Sequence, residues 1–205
     1  MRALLLIACV AAPLPALAAR KLVDEVVAVV DAHTITLSEL QAETRVRLVE
    51  AQGPVAAALP LDGPLLAASL RKTIDERIIL AEIERLKLYD LDRAEVDSLL
   101  SRLRNRFANQ AEWEAFTRKI ELTDEEIAKI LARELRVARY LENRLKLSAQ
   151  IRDSDLPAGP EREKLAQEKY QRLLADLLDD LRKRVTVRVL DPLDSEPGVA
   201  ALKGG

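Results

Sequence analysis

Val26-Val27-Ala28-Val29-Val30 near one end of the chain and Val185-Thr186-Val187-Arg188-Val189-Leu190 near the other are β-branched runs in a sequence otherwise patterned for helix. The second run alternates valine with Thr186, Arg188 and Leu190, the period of a half-buried strand. After Asp31-Ala32-His33, Thr34-Ile35-Thr36 reads as a further, very short strand. A strand without a partner leaves its backbone donors and acceptors unpaired. The economical solution pairs Val26–Val30 with Val185–Val189. The expected fold is therefore mainly α, with a small sheet that joins the N-terminal and C-terminal strands and closes the chain into one unit.

Working inward, Thr36 and Glu39 form a capping box that opens a helix running to about Ala51, where Gly53-Pro54 stops it. Residues 52–63 read as a loop of unusual content: Pro54, Val55, three alanines and Leu59-Pro60-Leu61. Asp62 caps the next helix and Pro64 fits its first turn. Leu66, Leu70, Ile74 and Ile78 make its apolar face, and Ile79, Leu80 and Ile83 widen that face enough to predict burial on several sides. Asp92 with Glu95 opens a third helix, Gln110 to Ile120 forms a fourth, and the box Thr123–Glu126 opens a fifth from Asp124 to about Leu145. A linker, 149–160, contains Asp153 through Pro160 and breaks the pattern. A leucine-striped helix follows from Glu161 to about Lys183, then the terminal strand, then a tail over 191–205.

Composition narrows the function classes. The 205 residues are 49% apolar, enough for a packed core, with 32 basic against 34 acidic side chains. So close a balance supplies no strong field toward nucleic acid or anionic lipid. Only 6 glycines and 3% aromatics argue against an all-β sandwich. The single cysteine, Cys9, excludes an intrachain disulfide and a cysteine-based zinc site, and the single histidine, His33, argues against a His-rich metal centre. Arg2, the apolar run from Ala3 and the small-residue stretch Ala16-Leu17-Ala18 read as a signal peptide over 1–18. Pro13 and Pro15 interrupt that run, so it does not suit a stable membrane anchor. The expectation is an exported protein whose mature unit spans 19–190.

At this point a family resemblance enters. Val26 through Asp31 followed by Ile35-Thr36-Leu37-Ser38-Glu39-Leu40 resembles the opening of the SurA N-terminal domain, the chaperone core loosely shared by the SurA and PrsA families of exported folding factors. Ile74-Asp75-Glu76-Arg77-Ile78-Ile79-Leu80 and Glu95-Val96-Asp97 are similar to the segments that follow in that core. So are Trp113-Glu114-Ala115-Phe116, Leu122 through Glu126, and the arginines Arg133, Arg136 and Arg139. The resemblance covers residues 22–148 and, more faintly, 161–190. Leu122 before Thr123 and His33 in the first turn depart from the pattern. Family members usually insert one or two parvulin prolyl-isomerase domains between the long helix and the C-terminal helix, each of about 90–100 residues. Only the linker 149–160 stands there, with no glycine-rich parvulin signature and no pair of histidines.

No single residue stands out as catalytic. There is no Gly-x-Ser-x-Gly, phosphate loop or zinc motif, so no enzyme activity, metal or cofactor is expected. His33 reads as an exposed turn residue, and Trp113 and Phe116, three apart, as core. Arg102, Arg104, Arg106, Arg133, Arg136 and Arg139, interleaved with Glu126, Glu134 and Glu142, read as a solvated, salt-bridged face rather than a nucleic-acid surface. The 52–63 loop has three readings: packing over the second helix, an apolar patch for clients contacted through Val55, Leu59 and Leu61, or plain disorder. The resemblance implies a periplasmic, ATP-independent holdase that binds unfolded apolar segments of exported or outer-membrane proteins. The alternative is a non-catalytic assembly subunit of an envelope complex, with a strand-swapped homodimer one form of it.

Overall fold

A computed structural model describes residues 24–148, 161–191 and 193. The expected signal peptide (1–18) and linker (149–160) lie outside the described residues, as does the tail 191–205 apart from Asp191 and Leu193. The elements run β1 (Val26–Val30), β2 (His33–Thr36), α1 (Leu37–Gln52), α2 (Pro54–Ala58), α3 (Gly63–Leu86), α4 (Arg93–Arg104), α5 (Gln110–Ile120), α6 (Asp124–Ser148), α7 (Glu161–Arg182) and β3 (Val187–Val189). The molecule is mainly helical with one small antiparallel sheet of order β2-β1-β3.

The first and last strands do meet. Val30 lies opposite Val187 and Ala28 opposite Val189. Beyond the ladder, Asp31 N donates to Thr186 O at 2.8 Å and Thr186 N returns a bond to Asp31 Oδ1 at 2.7 Å. Asp31 holds a left-handed backbone, φ 51°, a conformation that Asp and Asn tolerate because their short polar side chains bond locally. The C-terminal strand is shorter than its alternation predicts. Val185 falls outside it, and Val189 and Leu190 face solvent. The reason is position: β3 is an edge strand, so β1 supplies the buried face through Val27, Ala28 and Val30.

Helix starts follow local chemistry. Thr36 Oγ1 accepts from Glu39 N at 3.3 Å and Asp62 Oδ1 from Leu65 N at 2.9 Å. Thr123 and Glu126 bond reciprocally, hydroxyl to backbone N–H and carboxylate to backbone N–H, as a capping box requires. Asp92 makes no side-chain cap, and Glu95 instead pairs with Arg139 on α6.

The expected loop over 52–63 is corrected: residues 54–58 form a helical turn. Pro54 presets the first-turn backbone, three alanines are the strongest helix formers, and cations cap the end. Arg45 Nη1 donates to Ala57 O and Leu59 O, and Lys119 Nζ donates to Ala58 O.

The apolar interior forms two clusters. One joins β1, Leu40, α3, the later part of α6 and the C-terminal half of α7. The other joins Val46 and Val49 of α1 with Leu103, α5 and the first half of α6 around Trp113. As predicted, α3 is buried on several sides and Trp113 and Phe116 are core. On α6 the hand-over from Leu131 to Val137 falls at Arg133 and Glu134, and on α1 Glu43 sits between Leu40 and Val46. Charged side chains therefore occupy the junction of the two clusters.

Candidate functional site

Two features of this scaffold stand out: an apolar surface in two parts, and a buried charge layer between helices.

The first part of the surface is α2. Val55 is 80% exposed and Leu59, just past the helix end, 59%. Ala57 alone turns inward. Arg45 and Lys119 hold the last carbonyls of this turn, so the two aliphatic side chains are presented by a fixed support rather than a free loop. Leu61 does not join them. It is half-buried and packs on the cluster that contains Leu66 and Leu70, because it directly precedes the Asp62 cap that pins α3 to the body. The predicted trio thus divides into two exposed residues and one packed one.

The second part is a groove between α4 and α6 of about 660 Å³, floored by Val96, Leu100, Ala128 and Ala132. Its rim carries the ion pairs Arg93–Asp97 and Lys129–Glu125. Sequence reading used Val96 and Leu100 only as a helix stripe. The spacing that marks the groove is visible in hindsight: small Ala128 and Ala132, four apart on α6, cannot fill the space beside Val96 and Leu100. Asp124 fixes the end of the groove by accepting from Trp113 Nε1 at 3.0 Å and pairing with Arg104, whose guanidinium also stacks 5.4 Å over the Trp113 ring. Phe107 meets Trp113 edge-on with centroids 5.4 Å apart.

The charge layer corrects part of the expectation of a solvated, salt-bridged face: the ion pairing is there, but several of its members on α6 are enclosed rather than solvated. Arg133 turns inward to Glu43, whose side chain is 2% exposed. Arg139 reaches α4 through Glu95, and Glu134 meets α1 through Arg47. Of that set, Arg102, Arg106, Glu126 and Glu142 stay on the surface. Arg47 is the hub: Nε donates to Glu134 at 2.8 Å, Nη1 to Thr73 Oγ1 at 3.0 Å, and Nη2 to Glu43 at 3.2 Å and Glu76 at 2.5 Å. Arg77 bonds Glu39 and the same Glu43. Burial raises the Glu76 and Glu39 carboxyls above the usual range. Burial, followed by a hydrogen bond and charge repulsion from Glu50, pushes Glu134 up to about 7. The signal for this layer was Glu43 itself, a charge set on the apolar face of α1 between Leu40 and Val46.

His33 is exposed at the start of β2, as expected of a turn neighbour. Among the described residues no group of His, Cys, Asp and Glu is arranged to hold a metal ion, and no helix is long and apolar enough to cross a membrane. Compared with known proteins, the chain matches no family model and no curated relative.

Proposed function

We propose that this protein is a periplasmic, ATP-independent holdase chaperone, a SurA-like core without isomerase domains that binds unfolded apolar segments of exported or outer-membrane proteins. The observation that carries the reading is the supported exposure of Val55 and Leu59 on α2. Large aliphatic side chains held open by Arg45 and Lys119 serve association rather than folding, because the helical turn could bury them only by unwinding. The α4–α6 groove adds a second apolar surface with rim charges of both signs. The mechanism is physical: apolar client segments exchange water for these surfaces and are kept from one another. Contact limited to a few aliphatic side chains gives weak binding, on the order of micromolar, which lets clients leave.

The test is suppression of aggregation of several unrelated unfolded proteins by the purified full chain. Suppression is expected, and the double substitution Val55→Asp with Leu59→Asp is expected to weaken it about tenfold, a loss near 1.4 kcal/mol, without lowering the unfolding temperature. No suppression of any client, or suppression unaffected by the double substitution and by Leu100→Asp, would overturn the reading.

The second reading, an assembly subunit, draws on a different observation: Val189 and Leu190 are exposed on the open edge of β3. It predicts a tight complex with one partner or a second copy, abolished by Val189→Lys, and no general suppression of aggregation.

A further inference from the structure

In the sheet β2-β1-β3, β3 lies on an outer edge. Its inner side is engaged by β1: Leu190 N donates to Val27 O at 2.8 Å, Asp31 N donates to Thr186 O at 2.8 Å, and Arg188 lies opposite Val29. In an antiparallel ladder, residues that bond to the neighbouring strand alternate with residues that do not. Thr186, Arg188 and Leu190 therefore direct their backbone groups to β1. Val187 and Val189 direct theirs, an N–H and a C=O each, to the outer side. That side faces solvent, with Arg188 exposed and Val189 about half so.

The side chains of the strand divide between two faces. Val187 and Val189 lie opposite Val30 and Ala28, both buried, on the core side of the sheet. Val187 packs on the cluster that joins β1, α3 and α7. Val189 lacks such cover, because among the described residues no further strand flanks β3. Arg188 stands on the opposite face. Just before the strand, Arg182 pairs with Asp75, Lys183 with Asp180 and Arg184 with Glu82. Among the described residues Arg188 has no carboxylate partner.

We propose that this edge takes an extended polypeptide segment as a fourth strand, bonded through its main chain to the outer groups of Val187 and Val189, with aliphatic residues beside Val189 and an acid facing Arg188. An open edge is a template for strand pairing. Main-chain bonds supply affinity without reading sequence, and the flanking side chains supply preference. Charge argues against a second copy of this chain as the occupant. Full antiparallel pairing of β3 with itself is centred on position 188 and sets Arg188 directly opposite its own copy, where like charges destabilise the pair. An acid on the incoming strand replaces that repulsion with attraction. The inference deepens the holdase reading by naming the form in which a client segment is held here, and it rests on that reading for the source of the segment. The pairing itself does not.

The experiment uses the purified full chain and a seven-residue peptide that alternates valine with threonine and carries one glutamate at its centre. Amide exchange at Val187 and Val189 should slow on saturation with the peptide, while Leu190, already bonded to β1, changes little. The same peptide with N-methylated valines should lose binding. Lysine in place of the glutamate should weaken binding about threefold, the size of one exposed ion pair, and Arg188→Glu should reverse that preference. Val189→Pro removes an outer N–H but no bond to β1, as edge strands tolerate, and should abolish binding. Should Val189→Pro fail to fold, the N-methylated peptide carries the same test. A peptide that leaves both amides unprotected, or binds equally well when N-methylated, overturns the proposal. So does protection that appears with protein concentration alone, or a preference for glutamate that survives Arg188→Glu. Strand addition to a chain that suppresses no aggregation upholds this site and removes the holdase reading.

Discussion

Arg47 Nε donates to Glu134 Oε1 at 2.8 Å across 87 positions of sequence, and the same guanidinium holds Thr73 and Glu76 of α3. One side chain thereby ties α1 to both α3 and α6. Its removal would take the guanidinium partner from Glu134 and leave Glu76 only the exposed Lys72, while Glu43 keeps Arg77 and Arg133. Breaking a buried ion cluster by deleting one member costs about 3–5 kcal/mol. Arg47→Ala is expected to lose stability on that scale in urea unfolding. Arg47→Lys should recover only part, because an ammonium cannot meet four acceptors from a planar fork.

The pH dependence of stability has two limbs. Glu134, Glu76 and Glu39 are raised in the folded state, chiefly by burial. Their contribution is fully present below the unfolded carboxyl value and is lost as pH rises through the folded values, about 7 for Glu134. Glu82, held low by hydrogen bonds from Arg85 and by Arg184, and Asp24, held low by Ser38, act in the opposite sense. Their contribution is present above the unfolded value and is lost as pH falls through the folded one. Thermal unfolding across pH 3 to 9 should therefore show a maximum near pH 5, roughly where both limbs contribute most, and a decline toward pH 8.

Asp31 carries the junction of the two chain ends. Its left-handed backbone and its bond from Thr186 N make two demands that alanine cannot meet. Asp31→Ala is expected to cost about 1–2 kcal/mol. Asp31→Asn, which keeps a local acceptor and tolerates the same backbone, should be nearly neutral. Amide exchange at Asp31, Thr186 and Leu190 should report the loss, since these N–H groups form the clasp between β1 and β3.

Arg45 supports α2 through two carbonyls. Arg45→Ala with Lys119→Ala is expected to fray residues 54–59 with little change in overall stability, within about 1 kcal/mol for such partly exposed hydrogen bonds. Faster amide exchange confined to this turn would be the readout. If Val55 and Leu59 act in client binding, this variant should weaken aggregation suppression although both aliphatic side chains remain.

Local chemistry was legible from the residues. Thr36, Asp62 and the Thr123–Glu126 pair set helix starts through bonds to atoms three residues away, so no distant partner is needed. The pairing of Val26–Val30 with the C-terminal valines was likewise readable, because an unpaired strand has no other outlet. Charge placement was not readable: Glu126 and Glu134 look alike in sequence, yet one caps α6 at the surface and the other is enclosed between helices. The 54–58 turn was missed because its stabilising cations, Arg45 and Lys119, lie elsewhere in the chain.

By itself the sequence determined a mainly helical chain closed by its two ends, since periodicity, caps and strand pairing act through backbone geometry and near neighbours. Tertiary structure alone decided which charges are buried, which of Val55, Leu59 and Leu61 reach solvent, and where a groove opens between α4 and α6. Those outcomes depend on which helix face meets which, and desolvation acts only once that meeting has occurred.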